Sequence, residues 1–218
     1  MNEPAQPMLS IIIPLAQEET EQQYLLKNLL NLLADSSVSS EIIQSSKQIR
    51  ASSLNGGAKQ AEGQWLWFLH ADSRVSLDNL CALENSLNQD PHGAALHYFD
   101  LGFNHRGPLL WANALGANLR SRWLGCPYGD QGLCISKELF FHLGGFAEDQ
   151  AYGEDLLFIW HARRAAVPLR RIPSTLLTSG RKYQHQGWLK VTLLHQWYWL
   201  RLSLPELFKL LYQRWRRK

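Results

Sequence analysis

The side chains best placed to do chemistry begin with Asp72. It ends WLWFLHADS (65–73), an apolar run that breaks off at His70, Ala71, Asp72 and Ser73. In open α/β sheets, ligands bind beyond the carboxyl ends of the strands. A lone carboxylate there suits a divalent cation and the phosphates that accompany it. Capping the helix after Ser76, or closing a turn, is the plainer role for the same residue. Three further groupings stand with it: Pro14 to Glu19; Arg50-Ala51 with Leu54-Asn55-Gly56-Gly57-Ala58; and Pro127 to Gly132 with Gly144-Gly145-Phe146 and Glu154-Asp155.

Strands and helices must position these groups. LSIII (9–13) reads as a buried strand stopped by Pro14, and 18–34 has helical spacing. Residues 41–43 read as a short strand, and 50–62 as a loop or turn around Asn55-Gly56-Gly57 that runs into a helical segment. Residues 65–69 form a strand apolar on both faces. The pattern then predicts helices over 77–87, 109–123 and 154–166, strands over 94–103 and 133–136, and a helical turn at 138–143. This alternation predicts an α/β fold, a doubly wound, mostly parallel, Rossmann-like sheet.

A chain of 218 residues, 45% hydrophobic and 19% charged, is sized for one folded domain with an extension. Cys81, Cys126 and Cys134 form no CxxC pair, which argues against a zinc site or a disulfide framework and for a reducing compartment. The opening residues lack a basic n-region, and no long apolar window reads as a membrane span. The expected location is cytoplasmic. Residues 181–218 carry nine Lys/Arg against one acid, a local +8 that leaves −5 on residues 1–180. In this tail Pro205 is expected to end one helix and start another, with Leu207, Leu210, Leu211 and Trp215 on one face. Aromatic residues beside a basic face describe a helix in a membrane interface, peripheral on the inner face; packing on the body is the alternative. Without a recognition motif, nucleic acid is not an expected partner.

Taken together and in order, FLHAD, GDQG and the late acidic pair resemble the family 2 glycosyltransferases, inverting enzymes with the GT-A fold. The resemblance runs from about Leu9 to Gly187. It implies a GT-A-like domain over 1–187 and a helical tail over 188–218. It also implies a nucleotide-sugar donor, a glycan or lipid-linked acceptor, and a divalent metal (Mn²⁺ or Mg²⁺) held by Asp72. Asp155 matches the family's general base, with Glu154 orienting the acceptor or tuning its neighbour. Glu18, Arg50, Asn55, Gly57, His70 and Arg181 fall on the donor side. Tyr128, Asp130 and Gln131 fall on the acceptor side, where glycines allow close approach to a sugar.

One departure is large. The family strand corresponding to Glu41-Ile42-Ile43 ends in an Asp-Gly-Gly-Ser-like motif whose aspartate grips the nucleoside. Here Gln44 to Ile49 follow instead, then Arg50 at once, and Gln17 replaces the usual asparagine. A catalytically silent GT-A-like module at a membrane surface is therefore the alternative expectation.

Overall fold

The apolar runs pair into one six-stranded sheet of order β2-β1-β3-β5-β4-β6. Its strands are β1 (Leu9–Pro14), β2 (Ser40–Ser45), β3 (Trp65–Phe68), β4 (Leu96–Phe103), β5 (Cys134–Ser136) and β6 (Leu169–Thr178). The helices are α1 (Glu19–Ala34), α2 (Arg50–Gln60), α3 (Leu77–Asn88), α4 (Pro108–Leu124), α5 (Lys137–His142), α6 (Glu154–Arg164), α7 (Arg181–Gln186) and α8 (Trp188–Arg216). This computed structural model describes residues 8–15, 19–34, 36, 38–47, 49–150 and 152–216. Among the strands β5 alone runs against its neighbours β3 and β4; the other pairings are parallel.

Side-chain alternation divides the core between the two faces of the sheet. Ile12, Leu66 and Phe68 meet Phe140, Phe146 and Phe158 on one face. Ile11, Ile13, Trp65 and Trp67 meet Leu25 and Leu29 of α1 and Leu80 and Leu83 of α3 on the other. All four residues of β3 are buried, as a strand covered on both faces requires. The rigid centre of the sheet thus ends at His70 and Asp72.

Three elements differ from the sequence expectation. Asn55, Gly56 and Gly57 lie inside α2 and not in a loop. A Cβ on Gly57 would stand 2.7 Å from Ile12 Cγ2, so its glycine serves close packing of helix on strand. β6 was not foreseen at all. It is an edge strand whose register slips between Phe99–Ile172 and Asp100–Thr175, so Pro173 and Ser174 fall in a bulge. Third, α8 runs unbroken through Pro205. Proline there removes one bond to the Arg201 carbonyl, on the exposed side where water can replace it.

The inward face of α8 packs on α6. Trp160 Nε1 donates to Ser203 Oγ at 3.1 Å, and Arg164 pairs with Glu206. Leu210 is buried with Leu156, Trp160 and Cys126, whereas Leu207, Leu211 and Trp215 are exposed. The single apolar face expected for the tail is therefore split between two sides of one helix.

Candidate active site

Five elements end at one edge of the sheet. His70, Ala71 and Asp72 follow β3, Arg50 opens α2, a 3-10 turn (Gly129–Gln131) precedes β5, Glu154 and Asp155 open α6, and Ser179 to Arg181 follow β6. The first four converge at Gly129. Its N–H donates to Asp155 Oδ2 at 2.6 Å. A Cβ at this position would lie 2.9 Å from Asp155 Oδ2, 2.9 Å from His70 Nε2 and 3.2 Å from the Arg50 guanidinium. No side chain fits there. The glycine of the GDQG motif thus lets the acid pair, the histidine and the arginine close around one point.

Arg50 links the two sides of this cluster. One guanidinium nitrogen pairs with Glu154 Oε1 and the other meets His70 Nε2. Since guanidinium only donates, His70 Nε2 accepts and the ring is neutral with its proton on Nδ1. Burial, then the Arg50 charge, hold the His70 pKa well below its usual value. Glu154 is buried, and desolvation raises its carboxyl pKa; Arg50 opposes the rise and Asp155 adds to it. Asp155 is half-buried, its second oxygen accepting from Leu156 N at 2.8 Å. It is the more accessible of the two acids.

Asp130 stands beside them. Burial pushes its carboxyl up to about 6, with Asp155 and Asp72 adding to the rise and Arg120 and Arg50 opposing it. Its Oδ1 is buried and has no hydrogen-bond partner. It lines a cavity of about 140 Å³ with Arg120, Tyr128, Tyr183 and His195. The Arg120 guanidinium carbon lies over the Tyr128 ring, 3.7 Å from its centre, and burial raises the pKa of the Tyr128 phenol. Asp72 opens on a second cavity, about 440 Å³, which it shares with Ser179, Arg181, Lys182 and His185. Arg181 is also paired there with Glu21 at 3.3 Å.

The expected site residues thus separate into two groups. Arg50, His70, Asp72, Tyr128, Asp130, Glu154, Asp155 and Arg181 all border the cluster or its two cavities. Asn55, Gly57 and Gln131 do not. Asn55 is buried, its side chain bound to the backbone N–H and carbonyl of Phe146 and to Glu148. Gly57 packs on Ile12 as described above. Gln131 is fully buried; its Nε2 donates to Phe99 O, and its Oε1 accepts from Ser121 Oγ and Tyr128 N. Its amide oxygen and nitrogen are both bonded within the fold, and it lines neither of the two cavities. Glu18 and Gln17 lie outside the described residues. Sequence reasoning missed Arg120, Tyr183 and His195. No local pattern marks them, because only the packing of α4 against α7 and α8 brings them to Asp130.

The fold is that of the GT-A glycosyltransferases, and solved structures share it. The catalytic domain of Drosophila β1,4-galactosyltransferase 7 in complex with xylobiose superposes with a TM-score of 0.54 at 15% identity, over 76% of this chain and 64% of that one. TarS 1–349 of S. aureus, in complex with UDP-GlcNAc, gives 0.55 at 18% identity, over 79% and 58%. The mannosyltransferase PcManGT of Pyrobaculum calidifontis, with GDP-Man and Mn²⁺, gives 0.52 at 16%, over 79% and 56%. This chain therefore spans less than two thirds of each. Residues 40–147, about half of the chain, match the family model described as Glycosyl transferase family 2. No curated protein matches it by sequence.

Proposed function

We propose that the chain transfers a sugar, with inversion, from a nucleotide-sugar donor to a hydroxyl of a glycan or lipid-linked acceptor. The observation that carries this reading is Gly129, whose N–H fixes Asp155 Oδ2 at 2.6 Å beside the buried, unpartnered oxygen of Asp130. Asp155 takes the acceptor proton as the acceptor oxygen bonds to the anomeric carbon. The bond from that carbon to the phosphate oxygen breaks, and its electrons leave on the nucleoside diphosphate. Glu154, neutralised by Arg50, holds the arginine toward the reacting centre. Asp130 offers its free oxygen to a sugar hydroxyl.

The family and the Mn²⁺-bound mannosyltransferase make a divalent cation the expected companion of the donor. The described residues contain no group of three or more His, Cys, Asp or Glu able to hold one. Asp72, the one carboxylate among the residues lining its cavity, fits a cation that takes most of its ligands from phosphate and water. When bound, such a cation neutralises charge on the departing diphosphate. Arg181 and Lys182, in the same cavity, meet the phosphates from the protein side.

The silent-module reading keeps one specific observation in its favour. Between β2 and α2 there is no acid to receive a nucleoside: Ser46 to Ile49 lead directly to Arg50. Calorimetric titration with UDP, GDP and CDP in the presence of Mn²⁺, followed by product analysis with the matching nucleotide sugars, separates the two. Transfer requires that at least one nucleotide binds, that Asp72→Ala weakens it, and that Asp155→Asn keeps binding while losing about a hundredfold or more in turnover. A chain that binds no nucleotide is the silent module.

A further inference from the structure

The outward face of α8 is apolar where a helix on a water-facing surface is polar. Leu189, Leu193, Trp197, Leu204, Leu211 and Trp215 recur at steps of four and seven and are exposed, Leu189 by 61% and Trp215 by 73%. They form a stripe about 40 Å long at the rise of an α-helix. Charge along the same helix has one sign. Lys190, Arg201, Lys209, Arg214 and Arg216 are exposed, while Glu206, the helix's one acid, is buried against Arg164 and Lys209. Arg201 lies over the Trp197 ring at 5.1 Å, so cation and aromatic share the exposed surface.

We infer that the outward face of α8 docks the protein on an anionic lipid bilayer, its apolar stripe in the boundary between headgroups and acyl chains and its basic side chains at the lipid phosphates. Trp and Tyr beside Arg and Lys are the residues of that boundary. Each basic side chain near an anionic leaflet adds to the attraction. A second copy of the chain is a poor occupant, because two such faces bring positive charge against positive charge with no exposed acid to answer it. The helix lies on the bilayer, since no described helix is long and apolar enough to cross one. Thr192, His195 and Gln196 of the same helix line the Asp130 cavity. Docking therefore brings that cavity to the surface where a lipid-linked acceptor resides. That last consequence rests on the glycosyl-transfer reading; the docking itself does not.

Flotation of the full chain with phosphatidylcholine vesicles, with and without phosphatidylglycerol, tests the surface. Binding is expected on the anionic vesicles, about tenfold or more weaker on phosphatidylcholine alone, and weaker as added salt shortens the screening length. Replacing both Trp197→Ser and Trp215→Ser is expected to cut binding at least about tenfold. Trp123→Ser, a control on α4 at a residue 78% exposed, leaves it unchanged. The inference is overturned if neither vesicle binds, or if Trp123→Ser costs as much as the double variant. It is also overturned if the lipid-free chain is a stable dimer that the double variant turns into monomer. Nucleotide titration on the same preparations keeps the readings apart. Lost flotation with intact nucleotide binding overturns docking alone, and intact flotation without nucleotide binding overturns transfer alone.

Discussion

Asp130 is the residue whose environment is most at odds with its charge. Its carboxyl titrates from 3.8 up to about 6 because burial disfavours the ionised form. Between those values the folded chain holds a proton that the unfolded chain has released. Stability from this group is therefore full at the acid end and lost as pH rises through about 6. Asp130→Asn, which keeps the shape and removes the charge, is expected to gain on the parent as pH rises from 5 to 8, by about 1 kcal/mol. Denaturant unfolding of both proteins at the two pH values measures it, and a pH-independent difference contradicts it. His70 titrates in the opposite sense: its folded pKa is depressed, so its contribution is lost as pH falls below about 6.5. It is present in both proteins and cancels. At this scale the sequence was legible where residue type alone carries the chemistry: Asp72, Asp130, Glu154 and Asp155 all reach one sheet edge. It was illegible where orientation decides, since nothing local in GDQG says that Asp130 faces a cavity while Gln131 turns inward to Phe99 and Ser121.

Elements were legible wherever apolar periodicity is unbroken, as in β1, β3, α1 and α3. Two failures have a common cause, in that tertiary contact overrode a local signal. Pro173 and the two consecutive exposed arginines, Arg170 and Arg171, hide β6, which survives because an edge strand tolerates proline at a bulge. Asn55-Gly56-Gly57 looks like a turn, yet the glycines let α2 lie close on β1 and carry Arg50 to the cluster. Helix propensity alone predicts that alanine stabilises an exposed helical glycine by roughly 0.5–1 kcal/mol. For Gly116 in α4, where an added Cβ meets nothing within 4 Å, that gain is expected for Gly116→Ala. For Gly57→Ala the methyl meets Ile12 Cγ2 at 2.7 Å, and overpacking is expected to reverse the sign, to a loss of about 1–3 kcal/mol. Chemical denaturation of the pair checks it. Equal signs for the two substitutions rule out close helix–strand packing as the reason for Gly57.

For the whole molecule the question is whether 188–218 is an appended tail or part of the fold. Composition suggests an appendage, because the basic charge and the tryptophans set it apart from an acidic body. Packing argues the other way. Leu156, Trp160 and Cys126 of the body form one buried cluster with Leu210, against which Trp199 and Leu202 of α8 also pack, and Arg164 finds its carboxylate on α8. Uncovering a few large apolar side chains costs on the order of 5 kcal/mol, comparable to the total stability of an ordinary domain. Helix and body are therefore expected to unfold together. Leu210→Ala opens a cavity at their junction and should cost about 2–4 kcal/mol. If the fold is one cooperative unit, the substitution lowers the midpoint of a single transition, with tryptophan fluorescence and far-ultraviolet dichroism still superimposed. If α8 is an appendage, it melts first, and the remaining sheet unfolds at the parental midpoint. One transition makes the helix that lines the Asp130 cavity as much a part of the site as the sheet edge opposite it.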